Sequence, residues 1–170
     1  NIAVMINNIK NVWGYQSGVQ DAHIVYEIVA EGGITRLMAV FKDQNTERIG
    51  TVRSARIYYL DYALENDAIY VHFGGTSYAS DEIANAQVDE VDGIKGGLAN
   101  WAFTRDERIQ SPHNVFLNFS IMLNEVFNSS LRSEWEHPED KFFQFYEEDV
   151  TPMNGQKAEK VTIQFSQSVR

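Results

Sequence analysis

Two arginines three residues apart give the sequence its first candidate site, which is a site for an anion. Arg53 and Arg56 lie in the string VRSAR, where an apolar run meets a predicted helix that Ser54 would cap. The start of a helix presents unpaired N–H groups and a positive dipole end, and guanidinium groups bind phosphate or carboxylate through paired hydrogen bonds. The string therefore predicts an anion site at Arg53, Ser54 and Arg56. Ion pairs with nearby acidic side chains are the alternative.

A second junction of the same kind contains two glycines. Gly74 and Gly75 follow the apolar run 68–73 and precede Thr76 and Ser77, either of which suits a helix cap. In open α/β sheets ligands bind at the carboxyl ends of the strands, so we expect the two glycines to share one crevice with the arginines. The string lacks the spacing of a P-loop or of a dinucleotide-binding loop. A simple helix cap is the alternative interpretation.

A β-hairpin is predicted at about 24–41. Two apolar-rich runs flank Gly32 and Gly33, and two successive glycines are typical of a two-residue turn. Such a turn pairs residue 29 with residue 36. A helix over 22–31 is the competing structure, because acidic residues also recur there at helical spacing.

The charged side chains of this hairpin form a further candidate site. The two-residue turn places Glu27, Glu31 and Arg36 on one face. A cross-strand set of ion pairs is the simpler interpretation. Paired carboxylates also hold divalent cations, so a magnesium site that includes Asp21 is the alternative, although no spacing here is diagnostic of a metal.

A fourth group combines Arg105 with the predicted turn SPHN at 111–114. His113 is a side chain that titrates near neutral pH and suits a general base or a phosphate donor, with Asn114 beside it. A structural hydrogen bond is the alternative for a turn histidine. The serines of the chain lack the nucleophile-elbow motif, so serine hydrolase chemistry is not expected.

The elements that position these residues predict an α/β domain, with an α+β arrangement as the alternative. Strand, loop and helix follow one another twice, which predicts a mixed β-sheet with helices on both faces. Helices are expected at about 55–66, from residue 76 or 77 to about 87, and in the second half of 115–131. Strands are expected at 2–6, 49–52, 68–73, at the edge position 101–105, and at 161–165.

The end of the sequence predicts a domain boundary. A Pro, Asn and Gly break at 152–155 precedes the alternating run 161–165. We therefore assign residues 1–150 to one domain and residues 151–170 to a linker and the first strand of a truncated C-terminal domain. The aromatic segment 134–148 is expected to wrap on the body of the first domain.

Composition excludes several functions. The 170 residues include 14 Lys and Arg against 24 Asp and Glu, a net charge of −10, which argues against general nucleic-acid binding. The chain has no cysteine, so a disulfide scaffold and a thiolate metal site are excluded. No apolar run reaches the roughly 18 residues that a membrane-spanning helix needs.

Several strings, in order along the chain, resemble the N-terminal domain of the YerB-like lipoproteins of Gram-positive bacteria. The likeness extends from residue 2 to about 118, with two departures from the family pattern. Thr51 stands where the family has proline, and the proline that usually precedes the position of Gln16 is absent. The strings are AVMINN at 3–8, QSG at 16–18, DA at 21–22, VYE at 25–27, EGGITR at 31–36, GTVRSAR at 50–56, VHFGG at 71–75 and SPHN at 111–114.

The resemblance implies a domain of unknown function in an extracytoplasmic setting. Family members are held at the membrane by a lipidated N-terminal cysteine, so the resemblance implies a lipid anchor removed from this sequence and a second domain that begins near Val161. The expected partners are that missing domain and an anionic ligand or an envelope protein.

Three functions follow as hypotheses. The first is a binding or accessory module with an Arg-lined anion pocket, which needs no cofactor. The second is a magnesium-dependent enzyme acting on phosphorylated envelope precursors, because the layout is similar to that of LytR–CpsA–Psr phosphotransferases. That likeness of layout implies Arg36, Arg53, Arg56 and Arg105 as pyrophosphate ligands, with Asp21, Glu27 or Glu31 on the metal. The third is a structural domain whose arginines form ion pairs only.

Overall fold

Two β-sheets and three α-helices make up the described part of the chain. The structure is a computed structural model that describes residues 1–42, 46–98, 100–131, 134, 143, 146, 148, 150–151 and 153–164. The strands are β1 (Ile2–Asn7), β2 (Ile24–Val29), β3 (Thr35–Phe41), β4 (Arg48–Gly50), β5 (Ile69–His72), β6 (Glu90–Asp92), β7 (Phe103–Arg105) and β8 (Val115–Asn118). The helices are α1 (Leu60–Glu65), α2 (Ser77–Asn85) and α3 (Phe119–Phe127).

The larger sheet is mixed, as predicted. Its strand order is β2-β3-β1-β5-β6, with β1 parallel to β5, β5 parallel to β6, and the other pairs antiparallel. The smaller sheet has the order β4-β8-β7, and β7 is the edge strand expected at 101–105. Every residue of β1 and of β3 is buried, because layers cover both faces of the central strands.

Two hydrophobic cores lie on the two faces of the larger sheet. Side chains alternate between them along β1: Val4 and Ile6 pack with the smaller sheet and with Met122 of α3, while Met5 packs with α1 and α2. Helices therefore lie on both faces, and the predicted architecture is confirmed. In the described residues no helix is long and apolar enough to cross a membrane.

The hairpin is present, but its predicted register is wrong by one residue. Val29 pairs with Thr35 and Ile28 pairs with Arg36, because a short 3₁₀ turn, Glu31–Gly33, replaces the two-residue turn. A slip of one residue moves each side chain of one strand to the other face relative to its partner. The hairpin is thus a strand pair and not the competing helix.

The helix expected at about 55–66 begins later than predicted. Residue 56 is extended, a 3₁₀ turn spans Ile57–Tyr59, and α1 starts at Leu60. Ser54 is not its cap, because the Ser54 hydroxyl donates to the carbonyl of Phe73. The next helix is capped as predicted, by the Thr76 hydroxyl, which accepts from the Ala79 amide at 3.1 Å.

The C-terminal predictions have mixed outcomes. Residues 115–131 contain a strand followed by a helix, so the second half is helical as expected. The strand expected at 161–165 is not formed in its described part, since residues 161–164 are exposed and lie outside both sheets. The prediction for 134–148 falls largely outside the described residues. The division into residues 1–150 and 151–170 remains a prediction.

Candidate functional site

The candidate site lies at the carboxyl ends of β1 and β5. These strands are parallel neighbours, and the chain leaves them in opposite directions along the sheet, from β1 toward the hairpin and from β5 through α2 to β6. Such a switch point leaves a crevice outside the strand ends, where α/β sheets commonly bind ligands.

The backbone of residues 51–56 fills the space between the two strand ends. The direct pairing of β1 with β5 extends from Ile2 to Val4 of β1. Beyond it, the Arg53 amide donates to the Met5 carbonyl at 2.9 Å, and the Arg53 carbonyl accepts from the Phe73 amide at 3.1 Å. The Ala55 amide donates to the Gly74 carbonyl at 2.8 Å. These bonds explain the extended conformation of residue 56 and position both arginines of the VRSAR string beside the ends of β1 and β5.

Three guanidinium groups gather here, each with a different degree of saturation. Arg36, at the start of β3, is buried and donates through Nη1 to the Ser54 carbonyl at 3.0 Å. Arg56 donates through Nε to Glu31 Oε1 at 2.5 Å and through Nη1 to its neighbouring carbonyl. Arg53 donates through Nη1 to the Pro112 carbonyl at 3.2 Å, while its buried Nε has no hydrogen-bond partner among the described residues.

The electrostatics of the group leave positive charge in excess. Burial lowers the pKa of Arg53, and the charges of Arg36 and Arg56 lower it further. Burial also lowers the pKa of Arg36, with a further contribution from Arg56. The hydrogen bond from Arg56 lowers the pKa of Glu31, which is the carboxylate paired with the group. Three cations facing one carboxylate favour an additional anion.

His113 faces the arginines as a neutral hydrogen-bond donor. The Asn7 side-chain amide lies 3.1 Å from His113 Nδ1, and the Asn7 oxygen accepts from the Ile9 amide, which fixes the amide orientation. Nδ1 is therefore the acceptor, and the ring proton is on Nε2. Burial lowers the pKa of His113, and the charges of Arg53 and Arg36 lower it further. At neutral pH this ring is suited to donate to an anion.

Two members of the site were not predicted. Tyr58 has a buried hydroxyl without a hydrogen-bond partner in the described part of the chain, and its pKa is raised by burial and by the charge of Glu31. Asn7 orients the His113 ring. The signal available for Asn7 is its position directly after the apolar run 2–6, at the carboxyl end of β1.

Ser54, Gly74 and Gly75 support the site and are bonded within the protein. The Gly74 amide donates to Asp92 Oδ1 at 2.8 Å, and its carbonyl accepts from His72 Nδ1 and from the Ala55 amide. Gly74 has a φ of +72°, and a Cβ there would lie 2.6 Å from Ile94. Gly75 pairs with the residue 51–56 segment through a parallel bridge to Ala55. These hydrogen bonds join the residue 51–56 segment to the residues that follow β5.

The remaining candidate residues lie in other contacts. Glu27 accepts from Asn8 and Thr35 and lies on the face of the hairpin opposite to Arg36, whereas the predicted turn places the two on one face. Arg105 Nη1 donates to the Asn114 side-chain oxygen at 2.7 Å, so these two bind each other. Asp21 accepts from Thr46. Across the described residues, no group of three His, Asp or Glu side chains is placed to share a metal ion.

Comparison with known proteins places the chain among related sequences. Residues 1–132 match the family described as "Protein of unknown function (DUF3048) N-terminal domain". The chain is 36% identical over 123 residues to "Putative lipoprotein YerB" of Bacillus subtilis (strain 168), covering 71% of this chain and 36% of that protein. A crystal structure of YerB protein from Bacillus subtilis is similar with a TM-score of 0.67 and 33% identity, covering 75% of this chain and 43% of that chain. The chain thus spans less than half the length of these relatives.

Proposed function

The chain belongs to the family described as protein of unknown function (DUF3048), N-terminal domain, and we propose that this member is an anion-binding accessory module of an envelope lipoprotein. Its ligand is a phosphate or a phosphorylated compound held by Arg36, Arg53 and Arg56, with His113 as a neutral donor. The observation that carries the proposal is the buried Nε of Arg53, which has no hydrogen-bond partner among the described residues and lies beside two further guanidinium groups.

Burial of this arginine supports a ligand because it is unfavourable without one. A buried donor left unbonded costs about 1–3 kcal/mol, and like charges nearby add to that cost. Arg53 Nε and the Tyr58 hydroxyl are buried and lack a partner in the described residues, and both side chains interact electrostatically with Arg36 and Arg56. The helix dipole expected from the sequence does not contribute, since α1 begins only at Leu60.

The envelope setting is proposed from the relative. The Bacillus subtilis protein is named a lipoprotein, and the chain matches about a third of its length. We expect the full-length protein to partition into the detergent phase on Triton X-114 extraction. We also expect protease to degrade it when added to protoplasts, which are cells whose wall has been removed and whose membrane is intact. Recovery in the aqueous phase with protection from protease would contradict this setting.

We expect Arg53→Met to lower the affinity for inorganic phosphate and diphosphate by about tenfold or more, because a charge-assisted hydrogen bond contributes about 1.5–3 kcal/mol. Isothermal titration calorimetry measures the affinity, and the shift in Tm with added anion gives a second readout. Without anion, the Tm of Arg53→Met is expected to be no lower than that of the wild type, since the charge is unfavourable in the folded state.

Arg108→Met is the matched control, because Arg108 is exposed and pairs with Asp106 outside the crevice. It removes one charge by the same chemical change and is expected to leave anion binding intact. Two results contradict the proposal: a wild-type protein that binds neither anion at millimolar concentration, or equal affinity in wild type and Arg53→Met. A large loss of Tm in anion-free Arg53→Met would instead favour the structural role of the arginines.

A further inference from the structure

We infer that Glu31 is an internal competitor for Arg56 that makes the site selective for anions carrying at least two negative charges. The inference rests on the proposed anion-binding function and concerns the selectivity of the same crevice. Its basis is the ion pair between Glu31 Oε1 and Arg56 Nε at 2.5 Å, beside the less saturated Arg53.

The two partners of this ion pair differ in how firmly the protein holds them. The side chain of Arg56 is 17% exposed and also donates to the Ala55 carbonyl, whereas the side chain of Glu31 is 60% exposed. The carboxylate thus reaches the guanidinium from the solvent side. When a ligand competes for Arg56, the carboxylate is the group that can leave for water at low cost.

The turn that carries Glu31 has room to move. Glu31 opens the 3₁₀ turn Glu31–Gly33 at the tip of the hairpin, and both following glycines have a φ of +72°. A Cβ built on Gly32 or Gly33 meets no atom within 4 Å, so open space lies beside the tip at both glycines. Release of the carboxylate therefore requires no rearrangement of the core.

Charge then determines which anion can displace Glu31. With the carboxylate in place, the crevice has three guanidinium groups against one acid, and a monoanion would share them with Glu31. A ligand with two or more negative charges can match the two uncompensated cations and replace the carboxylate on Arg56 as well. Diphosphate, with acceptor oxygens on two phosphorus atoms, fits this description, while acetate does not.

The test is Glu31→Gln with diphosphate, inorganic phosphate and acetate as probes in calorimetry. Wild type is expected to bind diphosphate most tightly and acetate least. Glu31→Gln is expected to raise the affinity for acetate by about threefold to tenfold and to reduce the preference for diphosphate, because it removes the competing charge. Phosphate, part of which is a dianion at neutral pH, is expected to gain less than acetate. Glu27→Gln is the matched control: it removes one acid from the neighbouring strand, where Glu27 contacts Asn8 and Thr35.

The outcomes separate the two claims. Equal anion affinities in wild type, Glu31→Gln and Glu27→Gln, with clear binding in all three, overturn the competitor role and leave the proposed function standing. The same gain in both variants also overturns it, because net charge would then be the cause. A gain in acetate affinity in Glu31→Gln alone, with diphosphate bound by all three proteins, supports the competitor role. No binding by any of the three proteins overturns the proposed function and the inference with it.

Discussion

Tyr59→Ala is expected to lower the free energy of unfolding by about 3–5 kcal/mol, the range observed when large buried side chains are truncated. Tyr59 is fully buried and belongs to the core between the larger sheet and the helices α1 and α2. Alanine would remove the ring and leave a cavity under the hairpin. The variant is also expected to disturb the site, because Tyr59 contacts the backbone of a site residue.

The hydroxyl of Tyr59 connects the 3₁₀ turn before α1 to both strands of the hairpin. It donates to the Arg36 carbonyl and accepts from the Ile28 amide at 3.2 Å. Burial raises the pKa of this hydroxyl well above its ordinary value, so it remains a neutral donor.

A pair of matched variants isolates the hydroxyl from the ring. Tyr59→Phe is expected to cost about 1–3 kcal/mol, since it leaves buried backbone groups with fewer bonds. Tyr58→Phe is expected to cost nothing measurable, because the Tyr58 hydroxyl has no hydrogen-bond partner in the described residues. Urea unfolding at neutral pH measures both values. Equal effects of the two hydroxyl deletions would contradict this assignment, as would a Tyr59→Ala variant with wild-type stability.

The strands of the central sheet were predictable because their signal is local. The runs that form β1 and β5 are short, apolar and bounded by polar or glycine residues, which is typical of strands buried on both faces. The cap at Thr76 is likewise a local feature of the sequence. The strand–loop–helix order predicts that β1 and β5 are parallel, but not which strand lies on the other side of β1. That strand is β3, the second strand of the hairpin.

The hairpin register and the start of α1 were not predictable from local patterns. The string EGG is compatible with a two-residue turn and with a three-residue turn, and the register depends on long-range packing, which puts Tyr26 and Ile28 in the same core as Met38. Ser54 has the residue type and the position typical of a helix cap. It caps no helix, because its hydroxyl bonds to Phe73 and its neighbour Arg53 bonds to Met5 and Phe73, which lie far away in sequence.

The candidate site follows the same division between local and long-range information. Arg53 and Arg56 were predictable from their place after an apolar run, and Arg36 from its place in the hairpin. Tyr58 was missed because no spacing indicates which tyrosine of a 3₁₀ turn has an unbonded hydroxyl. Arg105 bonds to Asn114 of the turn with which its sequence group places it, and the grouping with the other three arginines rested only on a likeness of layout.

His72→Leu is expected to lower the free energy of unfolding by about 2–4 kcal/mol, because it removes one partner of a buried polar network while nearly conserving volume. His72 is fully buried at the end of β5. Its Nδ1 lies 3.0 Å from the Gly74 carbonyl and its Nε2 lies 3.0 Å from Glu90 Oε2. Both neighbours are hydrogen-bond acceptors.

Acid dependence gives this prediction a second readout. The hydrogen bond from His72 is the largest of the effects that lower the pKa of Glu90 in the folded protein, and a bond from Lys95 adds to it. A carboxyl group whose folded pKa lies below its unfolded value of 4.5 stabilises the fold above that value, and this stabilisation is lost as the pH falls through the folded pKa. The stability difference between wild type and His72→Leu is therefore expected to shrink below about pH 4.5.

The two variants His72→Leu and Glu90→Gln distinguish the network from simple packing. If the network is responsible, Glu90→Gln also loses stability at pH 7 and shows the same weakened acid dependence, because the carboxylate bonded to the ring is gone. If His72 contributes only packing, Glu90→Gln keeps wild-type stability, and the loss in His72→Leu is equal at pH 7 and pH 4. Since the ring bonds to the Gly74 carbonyl, which also holds Ala55, the network reading further requires His72→Leu to weaken phosphate binding at Arg53 and Arg56. A variant with lost stability and unchanged phosphate affinity would separate this network from the site.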